Sequence, residues 1–261
     1  MPETGRWTLS PIVLIAGVAI LVVTGLLLNR HDSRAAPLVL WDEGGIAPPA
    51  LAGQAAATPA AKPPTLAPPI RARVGLQVGH WESDELPVEL AILRTERGAN
   101  AGGFAEVDIN YAIAGRVAAL LTARGITVDL LPATVPPGYT ADAFIAIHSD
   151  YNNSPAMGGF KLARFRDSAI PARDDALIAA ITTEYGAATG QGRDGYITRA
   201  MTGYYAFNGA DFRHAIASQT PGVIIELGFL TNPADRALLT ERQETVAAGL
   251  AGGIIRFLTG A

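Results

Sequence analysis

The chain has 261 residues and a formal net charge of −4, which is enough length for one good-sized domain with an appendage. Without a basic excess to neutralise phosphates, we expect no nucleic-acid partner. The sequence has four histidines and no cysteine, so disulfides, thiolate nucleophiles and thiolate metal sites are excluded, and any metal ligands must be histidines and carboxylates.

The N-terminal region begins with a short tail, residues 1–10, followed by an uncharged apolar run at 11–28. A helix needs roughly 17–25 such residues to span the hydrocarbon core, so this run predicts a single transmembrane anchor. The small residues Ala35 and Ala36 would also suit a cleaved signal peptide, and a buried core helix is a further alternative. We favour an uncleaved anchor, because the run is longer than a usual signal-peptide core.

Residues 29–70 form a linker rich in Ala and Pro. Such a composition cannot bury a core and predicts an extended, semi-rigid spacer. The spacer would hold a folded domain, residues 71–261, away from the membrane.

Strand and helix patterns alternate within residues 71–261. The predicted strands are 73–79, 126–131, 143–148, 159–165 and 222–227, and the predicted helices are 106–123, 173–188 and 241–258. This alternation predicts an α/β fold with a mostly parallel, twisted sheet flanked by helices on both faces.

Three of the apolar strand patterns carry a polar, ligand-type side chain at or near their C-terminal ends, namely His80, His148 and Glu226. In open α/β sheets the functional site lies beyond the carboxyl ends of the strands. Two histidines and a carboxylate would make an open zinc site with three protein ligands. Each histidine taken alone is also compatible with a hydrogen-bonded structural role.

The third ligand is not decided by composition, because several carboxylates follow the first histidine. The candidates are Glu82, Glu85, Glu89, Glu96 and Glu106. Glu106 opens the helix after the first strand and so lies on the same rim as His80. An acid in a first helical turn also interacts favourably with the helix dipole, and this alternative stays open here.

Glu226 is the candidate general base. Its apolar neighbours should raise the pKa of its carboxyl group toward neutrality, where it could take a proton from water and give it to a leaving amine. The alternative is a buried carboxylate paired with an arginine. The serine elbow G-x-S-x-G, the helical zinc motif H-E-x-x-H and the phosphate-binding G-x-x-x-x-G-K are all absent.

Three segments resemble zinc-dependent N-acetylmuramoyl-L-alanine amidases of the Amidase_3 type, which cut bacterial peptidoglycan. Residues 221–232 are similar to the family pattern P-x-V-L-V-E-x-G-F-L-S-N, 106–114 to E-x-D-x-N-L-x-I-A, and 145–150 to S-I-H-x-N. The resemblance covers about residues 73–258. It implies that His80, Glu106 and His148 bind Zn²⁺ and that Glu226 is the catalytic acid/base. The resemblance thus favours Glu106 over the other candidates for the third ligand.

The chain departs from the family pattern near its first ligand. Gln77-Val78-Gly79-His80 replaces the usual D-P-G-H, and Asp150 stands where Asn is usual. The stretch 81–103 is longer than expected and could line the cleft, act as a lid or be a plain surface insertion. These departures leave a catalytically silent wall-binding or regulatory module as an alternative, and a zinc peptidase as another.

The expected activity is hydrolysis of the amide between N-acetylmuramic acid and L-alanine, by a single-pass protein of the bacterial cytoplasmic membrane with its catalytic domain on the cell-wall side. The Gly-rich, aromatic loop 190–212 would border the cleft or simply pack as a loop, and His214 would be structural or exposed. The preferred peptidoglycan type and any activating protein are left open by these residues.

Overall fold

The computed structural model describes residues 68–261. The predicted tail and anchor and nearly all of the linker lie outside the described residues. None of the helices in the described range combines the length and the apolar character that a membrane span requires.

A central five-stranded sheet organises the described chain, with strand order β4-β1-β5-β7-β6. The strands are β1 Arg73–Val78, β2 Asn100–Ala101, β3 Phe104–Ala105, β4 Thr127–Leu131, β5 Ala143–Asp150, β6 Lys161–Ala163 and β7 Gly222–Phe229. Neighbouring pairs are parallel except at the edge, where β6 runs antiparallel to β7. Strands β2 and β3 form a separate small hairpin. The prediction of a mostly parallel sheet is confirmed.

Within residues 68–261, five α-helices accompany the sheet: α1 Glu106–Thr122, α2 Pro171–Thr189, α3 Arg199–Thr202, α4 Pro233–Glu241 and α5 Gln243–Thr259. Short 3-10 helices occupy Ser83–Glu85, Val88–Thr95 and Tyr205–Phe207. The sequence patterns predicted α1, α2 and α5, whereas α3 and α4 were not predicted. Helix α4 carries a local signal, because Asn232 caps its first turn and Pro233 occupies its first position.

The two faces of the sheet are covered differently. One set of alternating strand side chains, including Val74, Ile145 and Ile225, packs against α1, α2, α4 and α5 in a large buried core. The opposite set, including Phe144 and Ile224, packs against short α3, a 3-10 turn and loops. The prediction of flanking helices is confirmed. The long helices lie on one face, and the other face has only the short α3 together with a 3-10 turn and loops, because no long helix forms between α2 and β7.

Candidate metal centre

The carboxyl ends of two neighbouring central strands bring His80 and His148 together. His148 lies within β5, and His80 follows the end of β1 by two residues. Strand β1 lies between β4 and β5, so chain order reverses beside it, and such points in open α/β sheets form crevices for ligands. His80 has a left-handed backbone with φ of 65°, a conformation that non-glycine residues seldom adopt and that clusters at functional sites.

Glu106 joins the two imidazoles from the start of α1. Its Oε1 lies 3.0 Å from Nδ1 of His148 and 3.3 Å from Nε2 of His80. One ligand atom from each of these residues lies within 4.8 Å of the others. Histidine nitrogens and a carboxylate oxygen form the donor set of an open zinc centre, so these side chains fit a metal ion.

The carboxylate of Glu106 is held by hydrogen bonds as well as by the histidines. The side chain of Asn110 and the backbone N–H of Ser149 donate to Oε1, at 3.2 and 3.1 Å, and the backbone N–H of Ala99 donates to Oε2 at 2.7 Å. Burial by itself would raise the pKa of Glu106, but the hydrogen bonds and charges of His148 and His80 hold that pKa well below its ordinary value. Glu106 is therefore ionised and oriented toward both imidazoles.

The other carboxylates considered for the third ligand are directed elsewhere. Glu82 and Glu85 are exposed, and Glu89 forms an ion pair with His214 at 2.7 Å. Glu96 contributes its backbone carbonyl, which lies 2.7 Å from Nδ1 of His80. Within the described residues, Glu106 is thus the carboxylate that groups with the two histidines.

Glycines let the three side chains approach one another. A Cβ atom on Gly79 would collide with the ring of His148. A Cβ atom on Gly98 would stand 2.7 Å from Oε2 of Glu106 and 2.8 Å from Cδ2 of His80. The backbone before and after the first histidine therefore forms part of the wall around the cluster.

Glu226 lies on β7, in register with His148 on β5 and with Lys161 on β6. Burial, together with the negative charges of Glu106 and Asp150, raises the pKa of Glu226 well above its ordinary value, while the charge of Lys161 opposes this rise. No arginine among the described residues forms an ion pair with Glu226, which argues against the alternative of an arginine-paired carboxylate. The half-buried Glu226 is suited to exchanging a proton.

Lys161 was not anticipated from the sequence. Its side chain is almost fully buried, and its Nζ lies 2.6 Å from Asp150 and 3.5 Å from Asp194. The signal that could have suggested it is a lysine between Phe160 and Leu162, inside the apolar strand pattern at 159–165. Its charge is positioned to favour the ionised form of Glu226.

A cleft of about 420 Å³ opens beside the two histidines. Its walls are mostly apolar and include Leu86, Leu90, Ile92 and Leu93 from the stretch 81–103. That stretch therefore lines the cleft, one of the options left open by the sequence. His214 lies outside the metal-ligand cluster, as expected.

The aromatic loop 190–212 borders the cleft only in part. Tyr204 and Tyr205 line it, whereas Phe207 packs against Phe144 in the core and Tyr196 is exposed. The hydroxyl of Tyr204 lies 3.0 Å from Nε2 of His148, a contact that the sequence analysis did not predict.

Comparison with known proteins identifies the family. The family model described as N-acetylmuramoyl-L-alanine amidase, Amidase_3, matches residues 74–256. No curated protein sequence matches the chain.

Solved structures share the fold at low sequence identity. The amidase AmiC2 of Nostoc punctiforme is 23% identical with a TM-score of 0.52, over 72% of this chain and 97% of that chain. The amidase Ami1 from Mycobacterium smegmatis is 21% identical with a TM-score of 0.56, over 74% and 100%. The CwlD amidase from Clostridioides difficile, solved in complex with the GerS lipoprotein, is 19% identical with a TM-score of 0.54, over 73% and 100%.

The family model covers the sheet, the helices and the whole His-Glu-His cluster. The chain therefore belongs to the Amidase_3 family of N-acetylmuramoyl-L-alanine amidases, enzymes that act on peptidoglycan.

Proposed function

We propose that the chain binds one zinc ion through His80, Glu106 and His148 and uses Glu226 as the acid/base in hydrolysing the bond between N-acetylmuramic acid and L-alanine. The observation that carries this proposal is the convergence of three ligand atoms within 4.8 Å of one another, beside a cleft that His80 and His148 line. The family match supports the same substrate.

Zinc in such a site supplies a Lewis acid that polarises the amide carbonyl and lowers the pKa of a bound water. The residues of the chain supply the proton transfers. Glu226 takes a proton from the attacking water, whose oxygen adds to the lactyl carbonyl carbon. Glu226 then donates that proton to the L-alanine nitrogen as the carbon–nitrogen bond breaks. A carboxyl group whose pKa is raised by burial can hold and release a proton in this way.

The test is incubation of the purified full-length chain with peptidoglycan, followed by mass spectrometry of the products. We expect new L-alanine amino termini that disappear when a chelator removes the metal. Glu226→Gln should lower the rate by about 10²–10⁴-fold, because it removes the proton shuttle, while zinc stoichiometry stays unchanged. The matched control is Glu85→Gln. Glu85 is an exposed carboxylate of the 3-10 helix Ser83–Glu85, and its substitution should leave the rate unchanged.

Other products would identify the alternatives. Release of saccharides would indicate a different bond specificity. Equal cleavage of sugar-free stem peptides and intact muropeptides would indicate a zinc peptidase. A normally folded chain with less than stoichiometric zinc would support the silent wall-binding or regulatory module.

We further propose that residues 11–28 anchor the chain in the bacterial cytoplasmic membrane, with the catalytic domain on the cell-wall side. The uncharged run at 11–28 and the Ala/Pro-rich linker that follows support this proposal. Membranes from cells making the full chain should retain it during alkaline carbonate extraction, whereas a chain lacking residues 1–30 should be released. Release of the intact full-length chain would contradict the anchor.

A further inference from the structure

The imidazole of His148 has two nitrogens with different neighbours. Nδ1 faces Oε1 of Glu106 at 3.0 Å, and Nε2 faces the hydroxyl of Tyr204 at 3.0 Å. The two rings meet edge to face with centroids 5.5 Å apart. Within the described residues, no other side chain forms a hydrogen bond with this Nε2.

A histidine that binds a metal through one nitrogen must carry its proton on the other. That second N–H needs an acceptor, and the acceptor fixes both the tautomer and the orientation of the ring. On His80 the corresponding partner of Nδ1 is the backbone carbonyl of Glu96, at 2.7 Å. On His148 the partner is a side-chain hydroxyl, which a single substitution can remove.

The position of Tyr204 is fixed by packing rather than by its hydroxyl. Its ring packs against Phe207 and Tyr205, with centroid distances of 5.5 and 4.6 Å. It follows α3, whose first turn is capped by the side chain of Thr198. A phenylalanine at position 204 would keep these ring contacts and lose the contacts of the hydroxyl, which are the 3.0 Å contact with Nε2 of His148 and the 3.5 Å contact with the hydroxyl of Tyr205.

The neighbouring Tyr205 provides a contrast because its hydroxyl points to other partners. It donates to the carbonyl of Ala133 at 2.5 Å and accepts from the side chain of Gln77 at 2.9 Å. The two tyrosine hydroxyls are 3.5 Å apart, long for an O–H···O hydrogen bond. Two adjacent tyrosines thus line one cleft, and only Tyr204 contacts a proposed ligand.

We propose that Tyr204 is a positioning residue of the metal centre, whose hydroxyl oxygen accepts the Nε2–H of His148 and so holds Nδ1 toward Glu106. This inference rests on the proposed zinc site. Tyr204 acts through the histidine, and its removal should weaken metal binding without removing a ligand.

The experiment compares the full-length wild type, Tyr204→Phe and Tyr205→Phe. Zinc affinity is measured by competition with a chromophoric chelator, and the melting temperature of each metal-free chain is measured alongside. We expect Tyr204→Phe to weaken zinc binding by about 10–100-fold, the usual effect of removing the partner of a metal-binding histidine. Tyr205→Phe, which also loses one buried hydroxyl, should keep zinc affinity close to that of the wild type.

Each other outcome overturns the inference in a distinguishable way. Wild-type zinc affinity in Tyr204→Phe, or equal weakening in both variants, would exclude a specific role of Tyr204. If Tyr204→Phe were the only variant that failed to fold without metal, the Tyr204 hydroxyl would have a structural role and not a positioning role. A folded wild type that binds no zinc would overturn the proposed metal site together with this inference.

Discussion

Two glutamates at one edge of the sheet have their pKa values moved in opposite directions by their surroundings. Hydrogen bonds and charges of His148 and His80 outweigh burial at Glu106 and lower its pKa, whereas burial raises the pKa of Glu226. Separated pKa values in neighbouring carboxylates are typical of sites where one group holds a charge and the other transfers a proton. The metal-ligand role suits Glu106, and the acid/base role suits Glu226.

Lys161 should influence the acid limb of the pH–rate profile. The charge of Lys161 lowers the pKa of Glu226, so Lys161→Met should raise that pKa further. A general base acts in its deprotonated form, and the rate should therefore begin to rise at a higher pH than in the wild type. The measurement is kcat/KM against pH on a soluble muropeptide.

Arg164→Met is the control for this prediction. Arg164 lies just beyond β6 and pairs with the partly exposed Asp175 at 2.8 Å rather than with the site. Arg164→Met should leave the pH–rate profile unchanged. An unchanged profile in Lys161→Met, or a shift to lower pH, would show that its charge does not act on the base.

At the scale of elements, the backbone just after β1 leaves room for the side chain of His148 on β5. Gly79 separates the strand from His80 and leaves the space that the ring of His148 occupies. The 3-10 segment Val88–Thr95 then forms one wall of the cleft, buries Leu90 and leaves Val88 and Ile92 exposed. The backbone geometry after β1 therefore determines how closely the metal-ligand side chains approach one another and which residues line the cleft beside them.

Gly79→Ala should disrupt the metal centre while the sheet persists. The added methyl group would displace the His148 ring, so we expect zinc affinity to fall by at least about tenfold, as when a supporting contact of a ligand is lost. Competition with a chelator measures the affinity. Gly115→Ala, at an exposed position of α1 with no atom near the added carbon, should keep zinc affinity and slightly stabilise the chain.

Glu89 should hold the 3-10 segment closed over the cleft. Its carboxylate accepts hydrogen bonds from the backbone N–H groups of Arg213 and His214, at 3.1 and 2.8 Å, and pairs with the His214 ring. Glu89→Ala should therefore speed amide hydrogen exchange in residues 83–95 severalfold relative to Glu85→Ala. Equal exchange in the two variants would mean that the segment is held by its apolar contacts alone.

At the scale of the whole molecule, the sheet order makes β1, β5 and β7 neighbours and so gathers the site residues. The long helices α1, α2 and α5 cover one face and share its core. The opposite face is covered by short elements and loops, including Tyr204 and Tyr205, which reach the cleft. The helical face packs against the strands in the larger core, and the irregular face supplies part of the cleft wall.

Metal removal should lower the stability of the folded domain, because zinc at the proposed site would bind the assembled cluster and not the unfolded chain. With free zinc at 100 times its dissociation constant, the gain is about 2.7 kcal/mol. Differential scanning calorimetry should therefore show a lower melting temperature after chelation. A Glu106→Gln variant should respond much less to the chelator. A wild-type melting temperature that is insensitive to chelation would contradict metal binding at the folded site.

The sequence by itself determined the α/β class and most strand and helix positions, and it named His80, His148 and Glu226 as candidate site residues. These features are local, because hydrophobic periodicity and strand-end residues are visible within short windows. From the residues alone the third ligand stayed open among five glutamates, and only the family resemblance favoured Glu106.

Only the tertiary structure decided which residues share the site in space. The distances that group Glu106 with the histidines, and the contact of Tyr204 with His148, join segments far apart in the chain. The asymmetric cover of the sheet and the buried Lys161 are likewise products of packing between distant elements. Local sequence patterns contain no information on the distance between such elements. The sequence could therefore identify candidate site residues, and only the fold shows which of them lie together.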